Sequence, residues 1–405
     1  MTDSCFPPGL LGVDAAIEKL VAIGRQVTPA QMTLSLTAAA GFVLAEEVFA
    51  PLDVPPEANS AMDGFAFCLA DLPPSGELPV SQRIPAGTVP AALIPGTAAR
   101  IFTGAILPAG ADTVVMQEQC EYADTHVRVV KRPARGANVR PAGQDVVRGQ
   151  RLLARGDRLS PASLGLAASA GFDSLTVFRP LRVAVLCTGD ELLEPGEAWR
   201  PGAIYNSNRP LLTALLRGWG FDVLDLGRVD DSLDGTLAAL DRAVASGADV
   251  IVSTGGVSVG EEDHVKRALQ QRGALDFWKV AIKPGKPVAV GEIAGTPFIG
   301  LPGNPQSVFV TALVLARPFL LSRQGQARVL PPVFDVAAGF ARARPADRRE
   351  YLRVRYERMD SVARLVPHPQ QSSGALMSAV WAHGFALVES GTSLAEGDPV
   401  PFLPL

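Results

Sequence analysis

The pattern of apolar and polar residues divides the chain into regions of different character. Residues 13–24 have the spacing of an amphipathic helix, with their apolar side chains on one side. From about residue 51 to residue 143, short apolar segments are interrupted by proline and glycine, and residues 112–118 and 126–130 are typical of strands. This region is therefore predicted to be a small β-rich unit.

From residue 181 onward, short β-branched runs alternate with helical segments. The pattern predicts strands at 182–187, 221–226, 250–253, 288–290 and 297–299, and helices at 209–219, 233–246, 263–272 and 305–321. Asn208 and Asn304 precede helix-starting prolines and are predicted to cap two of these helices. Such alternation is typical of a doubly wound α/β domain.

After about residue 322 no helical period of useful length remains. Residues 334–340 and 351–356 are predicted strands, and glycine-rich turns separate the later segments, which indicates a second small β domain. The predicted fold class is thus α/β and multidomain.

Composition narrows the class of protein. A chain of 405 residues is expected to form two to four domains, and 47% hydrophobic with 19% charged residues favours packed cores over disorder. The net charge of -4 gives the protein no overall positive field that would attract nucleic acid. No apolar run is predicted to reach the length of a membrane helix, and no signal peptide is evident. Four scattered cysteines without a CxxC pair suit a reducing compartment, and the four histidines lack metal-ligand spacing. We expect a cytoplasmic protein.

Two predicted strands end in glycine followed by acids. The first runs into Thr188-Gly189-Asp190-Glu191, and the second into Ser253-Thr254-Gly255-Gly256, followed by Ser258, Gly260 and the acids at 261–263. Asp230-Asp231 follows a third strand. Such loops lie at one edge of a parallel sheet, where glycine allows a phosphate to approach and carboxylates can hold Mg²⁺. Acids at ordinary helix starts are the alternative.

Two further loops offer donors to an anion. Lys283-Pro284-Gly285-Lys286 places two ammonium groups close together, which favours a bound anion, although a solvated hairpin tip has the same sequence character. The segment is not a P-loop, because proline follows Lys286. Gly300 to Ser307 contains Pro302, Gly303 and Asn304 and opens a long helix, so it offers N–H and hydroxyl donors or simply begins that helix.

The remaining candidates are single polar residues beside glycine or in strands. Asp63, Thr103 and Asp145 each occupy such a position in the first half of the chain. In the segment 349–358, strand alternation places Arg353 and Arg355 on one face, where they bind an anion or are solvated at a sheet edge, and Ser373 follows with a hydroxyl. The sequence shows no Ser/His/Asp or Cys/His set typical of nucleophilic catalysis. The candidate residues therefore indicate anion and metal binding.

Five motifs, in order along nearly the whole chain, together resemble those of the MoeA family of molybdopterin molybdenumtransferases, which is related to the E domains of gephyrin and its plant counterpart. They are SAMDGFA from Ser60, TGDEL from Thr188, STGGVSVGEED from Ser253, KPGKP from Lys283 and GLPGNPQS from Gly300. The MogA-type adenylyltransferases share the strand–TGG–loop pattern in the middle domain. The MDG segment and the C-terminal region favour MoeA.

The resemblance implies an L-shaped homodimer of four-domain subunits with an active site shared between them. It implies a discontinuous N-terminal α+β domain at 1–51 and 145–180, an inserted β-rich domain at 52–144, a MogA-like α/β domain at 181–325 and a C-terminal β-barrel-like domain at 326–405. The implied reaction inserts molybdate into adenylylated molybdopterin with Mg²⁺ and releases AMP. As partners the resemblance implies a MogA-type adenylyltransferase and molybdoenzyme acceptors.

The resemblance also assigns residues to roles. The expected catalytic residues are Asp63, Thr103, Asp145, Glu191, Lys283 and Lys286, and the expected metal ligands are Glu191, Asp230 and Asp263. The expected ligand-binding residues are Thr188, Gly189, Asp190, Ser253, Gly255, Gly256, Ser258, Gly260, Pro302, Gly303, Asn304, Arg353 and Ser373. The family's motif aligns equally well with Asp230 and with Asp231. Phe65 stands at a position where the family often has tyrosine. Adenylyltransferase activity and a non-catalytic binding scaffold are the alternative functions.

Overall fold

The structure of the protein is a computed structural model that describes residues 9–256, 264–359 and 362–405. The helices in these ranges are Val13–Gly24, Pro161–Ser169, Asn208–Gly218, Leu233–Ala245, His264–Arg272, Pro305–Thr311, Arg317–Arg323 and Met377–Trp381. A π-helical turn, Ala312–Ala316, joins the sixth to the seventh. Three six-stranded sheets and four two-stranded pairings account for the strands that the structure describes.

The central sheet, which we call the α/β sheet, positions most of the predicted site loops. In spatial order its strands are Asp222–Val229, Arg182–Thr188, Val250–Thr254, Thr296–Leu301, Pro287–Ile293 and Gly273–Lys279. The first four run parallel, and the last two are antiparallel additions. The carboxyl ends of the parallel strands therefore lie along one edge, where ligands bind in open α/β sheets.

Apolar residues cover both faces of the α/β sheet. Val183 and Val185 point into one cluster with the helix residues Leu212 and Leu216. Their neighbours on the strand, Ala184 and Leu186, join a second cluster on the other face, with Ala239, Leu240, Val265 and Ala268. Because successive strand residues point to opposite faces, a run that is apolar throughout indicates a strand buried on both sides.

The predicted α/β elements are present, with differences at their ends. The strand Gly273–Lys279 was not predicted, and the long helix expected at 305–321 is interrupted by the π-helical turn. The expected helix start at residue 263 lies outside the described residues, and the helix there is described from His264. The predicted α/β class with flanking β units is confirmed.

Within the described residues one helical stretch, Pro305–Arg323, is long and apolar enough to span a membrane. This corrects the sequence-based expectation that no run reaches that length. However, 78% of its apolar window is buried inside the protein. Packing in the core therefore accounts for its apolar character.

The first helix packs against the α/β sheet layer. Val13, Ala16 and Leu20 are buried in the same cluster as the strands of the α/β sheet. Its last residue, Gly24, lies so close to the Arg317–Arg323 helix that an added Cβ would approach the Phe319 carbonyl oxygen to 2.8 Å. Helix Val13–Gly24 is thereby tied to a segment almost 300 residues later in the chain.

The strands before and after the β-rich unit pair with each other. Gln31–Ser35 pairs with Ser174–Phe178, and Val48–Phe49 pairs with Arg151–Leu153, all antiparallel. The chain between them forms what we call the inserted sheet. Its strands, in spatial order, are Thr113–Met116, Gly64–Phe67, Ala98–Ile101, Glu77–Ile84, His126–Val129 and Cys120–Tyr122. This arrangement supports the proposed insertion, while the boundaries given above remain predictions.

The third sheet, which we call the C-terminal sheet, is closed. Its strands are Ile282–Lys283, Arg349–Met359, Val362–Pro367, Phe334–Ala338, Pro399–Pro404 and Gly384–Val388, and the last also pairs with Arg349–Met359. Ile282–Lys283 comes from the α/β part of the chain and pairs in parallel with Arg349 and Glu350. The alternative reading of Lys283 as part of a solvated hairpin tip is therefore wrong, because Ile282–Lys283 is a short strand that joins the α/β part to the C-terminal sheet.

Candidate functional site

A cleft of about 810 Å³ lies where the α/β sheet meets the C-terminal sheet. Its lining comes from the carboxyl ends of three parallel strands, from the Lys283–Pro287 loop and from two segments of the C-terminal part. Ten of the predicted site residues line it: Thr188, Glu191, Gly255, Gly256, Lys283, Lys286, Pro302, Gly303, Asn304 and Ser373. Residues distant in sequence are therefore brought together as predicted for a ligand at this sheet edge.

The glycine pair at the end of Val250–Thr254 is required by both conformation and space. Gly255 and Gly256 have φ angles of 83° and 61°, in the left-handed region that favours glycine. A Cβ on Gly255 would lie 2.6 Å from the Thr188 carbonyl oxygen, and one on Gly256 would lie 2.4 Å from Val265 Cγ2. The loop consequently packs directly against the neighbouring strand end, which leaves its backbone exposed to the cleft.

Buried polar atoms at the cleft lack partners in the part of the chain that the structure describes. They include Thr188 Oγ1 and Asn208 Oδ1. A buried polar atom without a hydrogen bond is costly, so such atoms are the places where a polar ligand or water is expected to bind. Ser307 and Gln371 add further polar groups to the lining.

Three cationic side chains face the cleft: Lys283, Lys286 and Arg348. Lys286 is exposed and forms no ion pair within residues 9–256, 264–359 and 362–405. Arg348 is held in place by a hydrogen bond of 3.2 Å from Nη1 to the Ile282 carbonyl oxygen, and its Nε lies 3.4 Å from Oδ1 of the exposed Asp347. Against these cations the described lining offers one carboxylate, Glu191, so the cleft favours anions.

Lys283 differs from Lys286 because it has a buried partner. Its Nζ lies 2.9 Å from Oε1 of Glu350, whose side chain is 4% exposed. The other oxygen of Glu350 is ion-paired with Arg342. The pairing follows from the register of the two parallel strands, in which Lys283 lies beside Glu350. Glu350 therefore fixes the position of Lys283 and joins the α/β part to the C-terminal sheet.

Asn208 has another role than the predicted cap. It is the first residue of its helix rather than the residue before it, and its Nδ2 donates to the Gly303 carbonyl oxygen at 2.7 Å. The N–H of Arg209 is instead accepted by Oδ1 of Asn206 at 3.2 Å. The predicted cap was therefore wrong, and Asn208 connects two walls of the cleft. Asn304 does occupy the capping position, but its side chain makes no capping hydrogen bond.

The predicted acidic residues separate into two places. Glu191 lines the cleft, whereas Gly189, Asp190 and Asp230 line a neighbouring cavity of about 240 Å³ together with Arg200 and Arg228. Asp263, Ser258 and Gly260 lie outside the described residues. Among the described residues no group of three or more His, Cys, Asp or Glu side chains is arranged to hold a metal ion. Ser253 is fully buried at the strand end.

Arg353 does not lie at a solvated edge, because its strand pairs on both sides. The side chain is 1% exposed, and it donates to Ser378 Oγ at 3.1 Å and to the Ser372 carbonyl oxygen at 3.2 Å. Burial lowers the pKa of Arg353 to about 10. Its assignment to a solvent-facing anion site is thus not supported, since Arg353 instead anchors the segment that carries Ser373. Arg348, which was not predicted, faces the cleft.

Asp63 and Thr103 are brought together in the inserted sheet. Oδ1 of Asp63 accepts hydrogen bonds from the Thr103 backbone N–H at 2.7 Å and from its hydroxyl at 2.8 Å. These bonds hold the pKa of the Asp63 carboxyl below its usual value, so an exposed carboxylate is kept ionised and oriented. Asp145, by contrast, is exposed in the segment between the strands Val139–Arg140 and Arg151–Leu153. Its backbone N–H donates to the Val54 carbonyl oxygen.

Substitution of Thr103 by valine is expected to raise the pKa of Asp63 toward its ordinary value, because one of the two hydrogen bonds to the ionised form is lost. The carboxylate of the variant would therefore be protonated at a higher pH than in the unmodified protein. Carbon-detected NMR titration of the Asp63 carboxyl measures the change. Thr97→Val is the control, because its hydroxyl donates to the Ile94 carbonyl oxygen and not to a carboxylate. Equal midpoints in Thr103→Val and the unmodified protein would contradict the assignment.

The geometry described above defines a class of protein: a multidomain protein with a cation-lined cleft at the carboxyl edge of an α/β sheet. The family profile described as a probable molybdopterin binding domain matches residues 184–322. The MoeA N-terminal region (domain I and II) matches residues 11–171, and the MoeA C-terminal region (domain IV) matches residues 335–405.

Comparison with whole proteins gives the same result. The chain is 40% identical to a molybdopterin molybdenumtransferase of Haemophilus influenzae over 326 residues, which are 80% of each chain. It is 34% identical to that of Synechococcus elongatus over 403 residues, covering 96% of this chain and 98% of the relative. A molybdopterin biosynthesis MoeA protein of Pyrococcus horikoshii superposes with a TM-score of 0.77 at 29% identity, covering 98% and 99% of the two chains. The chain belongs to the MoeA family.

Proposed function

We propose that the chain is a molybdopterin molybdenumtransferase, which inserts molybdate into adenylylated molybdopterin and releases AMP. The observation that carries the proposal is the set of three cations, Lys283, Lys286 and Arg348, around a cleft in a chain of the MoeA family. Molybdate is a dianionic oxyanion, so ammonium and guanidinium groups bind it through charge-assisted hydrogen bonds. Ser307 and Ser373 line the same cleft and offer hydroxyl donors.

The protein's part in the reaction is position and charge. The two thiolate sulfurs of the substrate replace two oxo ligands of molybdate, and each oxo ligand takes up two protons and leaves as water. A further water molecule cleaves the phosphoanhydride bond and releases AMP. The cleft cations hold the anions close to each other, which lowers their mutual repulsion and the entropy cost of bringing them together. The backbone at Gly255 and Gly256 and the unpartnered Thr188 hydroxyl are suited to the AMP phosphate of the substrate.

We propose that Mg²⁺ binds in the cleft only when the phosphates of the substrate supply part of its ligands. The described acids form no metal-holding group by themselves, but Mg²⁺ commonly takes one or two protein carboxylates and completes its shell with phosphate and water. Glu191, an exposed carboxylate of the cleft, fits that part, and Asp230 and Asp263 remain predicted ligands. Bound there, the ion would supply positive charge to the phosphates of the substrate.

A shared site in a homodimer is also part of the proposal. The described cleft lining lies between Thr188 and Ser373, whereas Asp63 and Thr103 belong to the inserted sheet. For all of these residues to act on one ligand, we infer that the inserted sheet of a second copy contributes to the cleft. A cytoplasmic location, a MogA-type supplier of the adenylylated substrate and molybdoenzyme acceptors complete the proposal.

Assay of the purified protein with adenylylated molybdopterin tests the function. We expect AMP to be released in proportion to added molybdate, with no consumption of ATP. Sulfate is the matched control, because it has the same charge and shape as molybdate but accepts no thiolate ligand, so it should not release AMP. Consumption of ATP with unmodified molybdopterin would instead identify an adenylyltransferase. A lack of either reaction would favour a binding scaffold.

A further inference from the structure

The inserted sheet carries a cluster of arginine and aromatic side chains next to Asp63. The Arg100 guanidinium lies over three rings, at 4.9 Å from the centre of Phe65, 4.9 Å from that of Phe102 and 5.2 Å from that of Tyr122. The guanidinium of Arg83 also lies over Phe102, at 4.7 Å from the ring centre. We call these five residues the arginine–aromatic cluster. Stacking on rings holds both guanidinium planes in fixed orientations.

The two charges of the cluster are not neutralised by ion pairs. Arg100 donates to neutral acceptors, the Gly64 carbonyl oxygen at 3.2 Å and Oε1 of Gln117. In the ranges that the structure describes, neither Arg83 nor Arg100 is ion-paired with a carboxylate. Two neighbouring cations that share a ring repel each other, and an anion between or beside them relieves that repulsion.

A cavity of about 380 Å³ opens over the cluster. Both arginines and Tyr122 line it, together with the strand segment from Val80 to Gln82 and the turn at Ala123 and Asp124. Phe65 is buried, whereas Tyr122 is 53% exposed, so Tyr122 is the aromatic residue of this lining that is open to a ligand. Asp124 is the single carboxylate in this described lining, and the cavity therefore retains a net positive charge.

The cluster adjoins the residues assigned to the shared site. Phe65 follows Asp63 by two positions and Phe102 precedes Thr103, and Arg100 is close enough to contribute to the lowered pKa of Asp63. In the sheet register Phe65 lies directly opposite Arg100. A ligand that contacts Asp63 is therefore within reach of the exposed ring and the guanidinium groups.

We propose that the arginine–aromatic cluster is a binding subsite for a planar heteroaromatic ring that carries an anionic group. The ring stacks on Tyr122 and on the guanidinium planes, and the anionic group accepts hydrogen bonds from Arg83 and Arg100. This inference rests on the proposed function and deepens it, because the pterin part of the substrate is such a ring and bears its own phosphate, distinct from that of AMP. The inserted sheet would then bind the pterin end while the cleft binds molybdate.

Binding of pterin carboxylate, followed by its own fluorescence, tests the subsite on the full-length protein. We expect saturable quenching by the unmodified protein and a dissociation constant raised about tenfold in both Arg83→Gln and Arg100→Gln. Arg135→Gln is the matched control, because this arginine of the same part of the chain is already ion-paired with Asp112 at 2.9 Å. Uncharged hydroxymethylpterin is expected to bind more weakly than the carboxylate.

Arg83→Gln still tests the subsite if Arg100→Gln unfolds. Arg83 is exposed, so its replacement should leave the unfolding temperature unchanged. Dissociation constants equal to that of the unmodified protein in Arg83→Gln, or the absence of saturable binding, would overturn the subsite. Molybdate-dependent AMP release is measured in parallel. AMP release without pterin binding overturns the subsite alone, and pterin binding without AMP release overturns the proposed function alone.

Discussion

Replacement of Lys286 by glutamine is expected to lower kcat/KM for molybdate by about 100-fold, since a charge-assisted hydrogen bond to a dianion is lost. The effect should be large because Lys286 is the cleft cation without an ion pair among the described residues. The side chain is exposed, so the unfolding temperature should not change. Molybdate-dependent AMP release over a range of molybdate concentrations measures the effect.

Lys279→Gln is the control for Lys286→Gln. Lys279 is an exposed lysine seven residues earlier, on the edge strand Gly273–Lys279, and it does not belong to the described cleft lining. We expect unchanged kinetics and unchanged stability in this variant. If Lys286→Gln and Lys279→Gln had the same molybdate dependence, the anion would have to bind elsewhere.

Replacement of Glu350 by glutamine is expected to affect both stability and activity. The carboxylate is buried between Lys283 and Arg342, so its loss leaves two cations without a counter-charge. Both cations are partly exposed, which limits the loss to about 2 kcal/mol of unfolding free energy. With Lys283 no longer held, the molybdate concentration for half-maximal rate should rise about tenfold. Denaturant unfolding and the AMP assay measure the two effects.

Glu396→Gln is the matched variant for Glu350→Gln, because Glu396 pairs with Arg364 in the same C-terminal part but is 57% exposed. Loss of an exposed pair should cost less than about 1 kcal/mol and leave the molybdate dependence unchanged. A Glu350→Gln protein with altered stability but an unchanged molybdate dependence would show that Glu350 joins the two sheets without positioning Lys283 for the anion.

The order of strands and helices in the central domain could be predicted because a strand that is buried on both faces has an uninterrupted apolar run in its sequence. The runs at 182–187 and 250–253 are apolar throughout, and both form parallel strands with cores on each side. Gly273–Lys279 was missed because it is an antiparallel edge strand. Asp276 and Lys279 occur in its sequence, so it has no uninterrupted apolar run.

The choice between two nearby arginines shows where the sequence pattern fails. Alternation along Arg349–Met359 separates two faces but does not say what covers each of them. One face lies in the C-terminal core with Leu352 and Val354. The other carries Tyr351 into the α/β cluster and Arg353 into a fully buried position. Arg348, just before the strand, is the arginine left facing the cleft.

The sequence by itself identified loops that line the cleft, because glycine, proline and charged residues at strand ends have strong local preferences. It thereby located the glycine pair at Gly255 and the lysine pair at Lys283 and Lys286. Only the tertiary structure decided that the two lysines differ. Lys283 lies beside Glu350 through pairing of strands 67 positions apart, and no local preference encodes so distant a partner. Charge and burial of a side chain depend on those long-range contacts, which a motif does not contain.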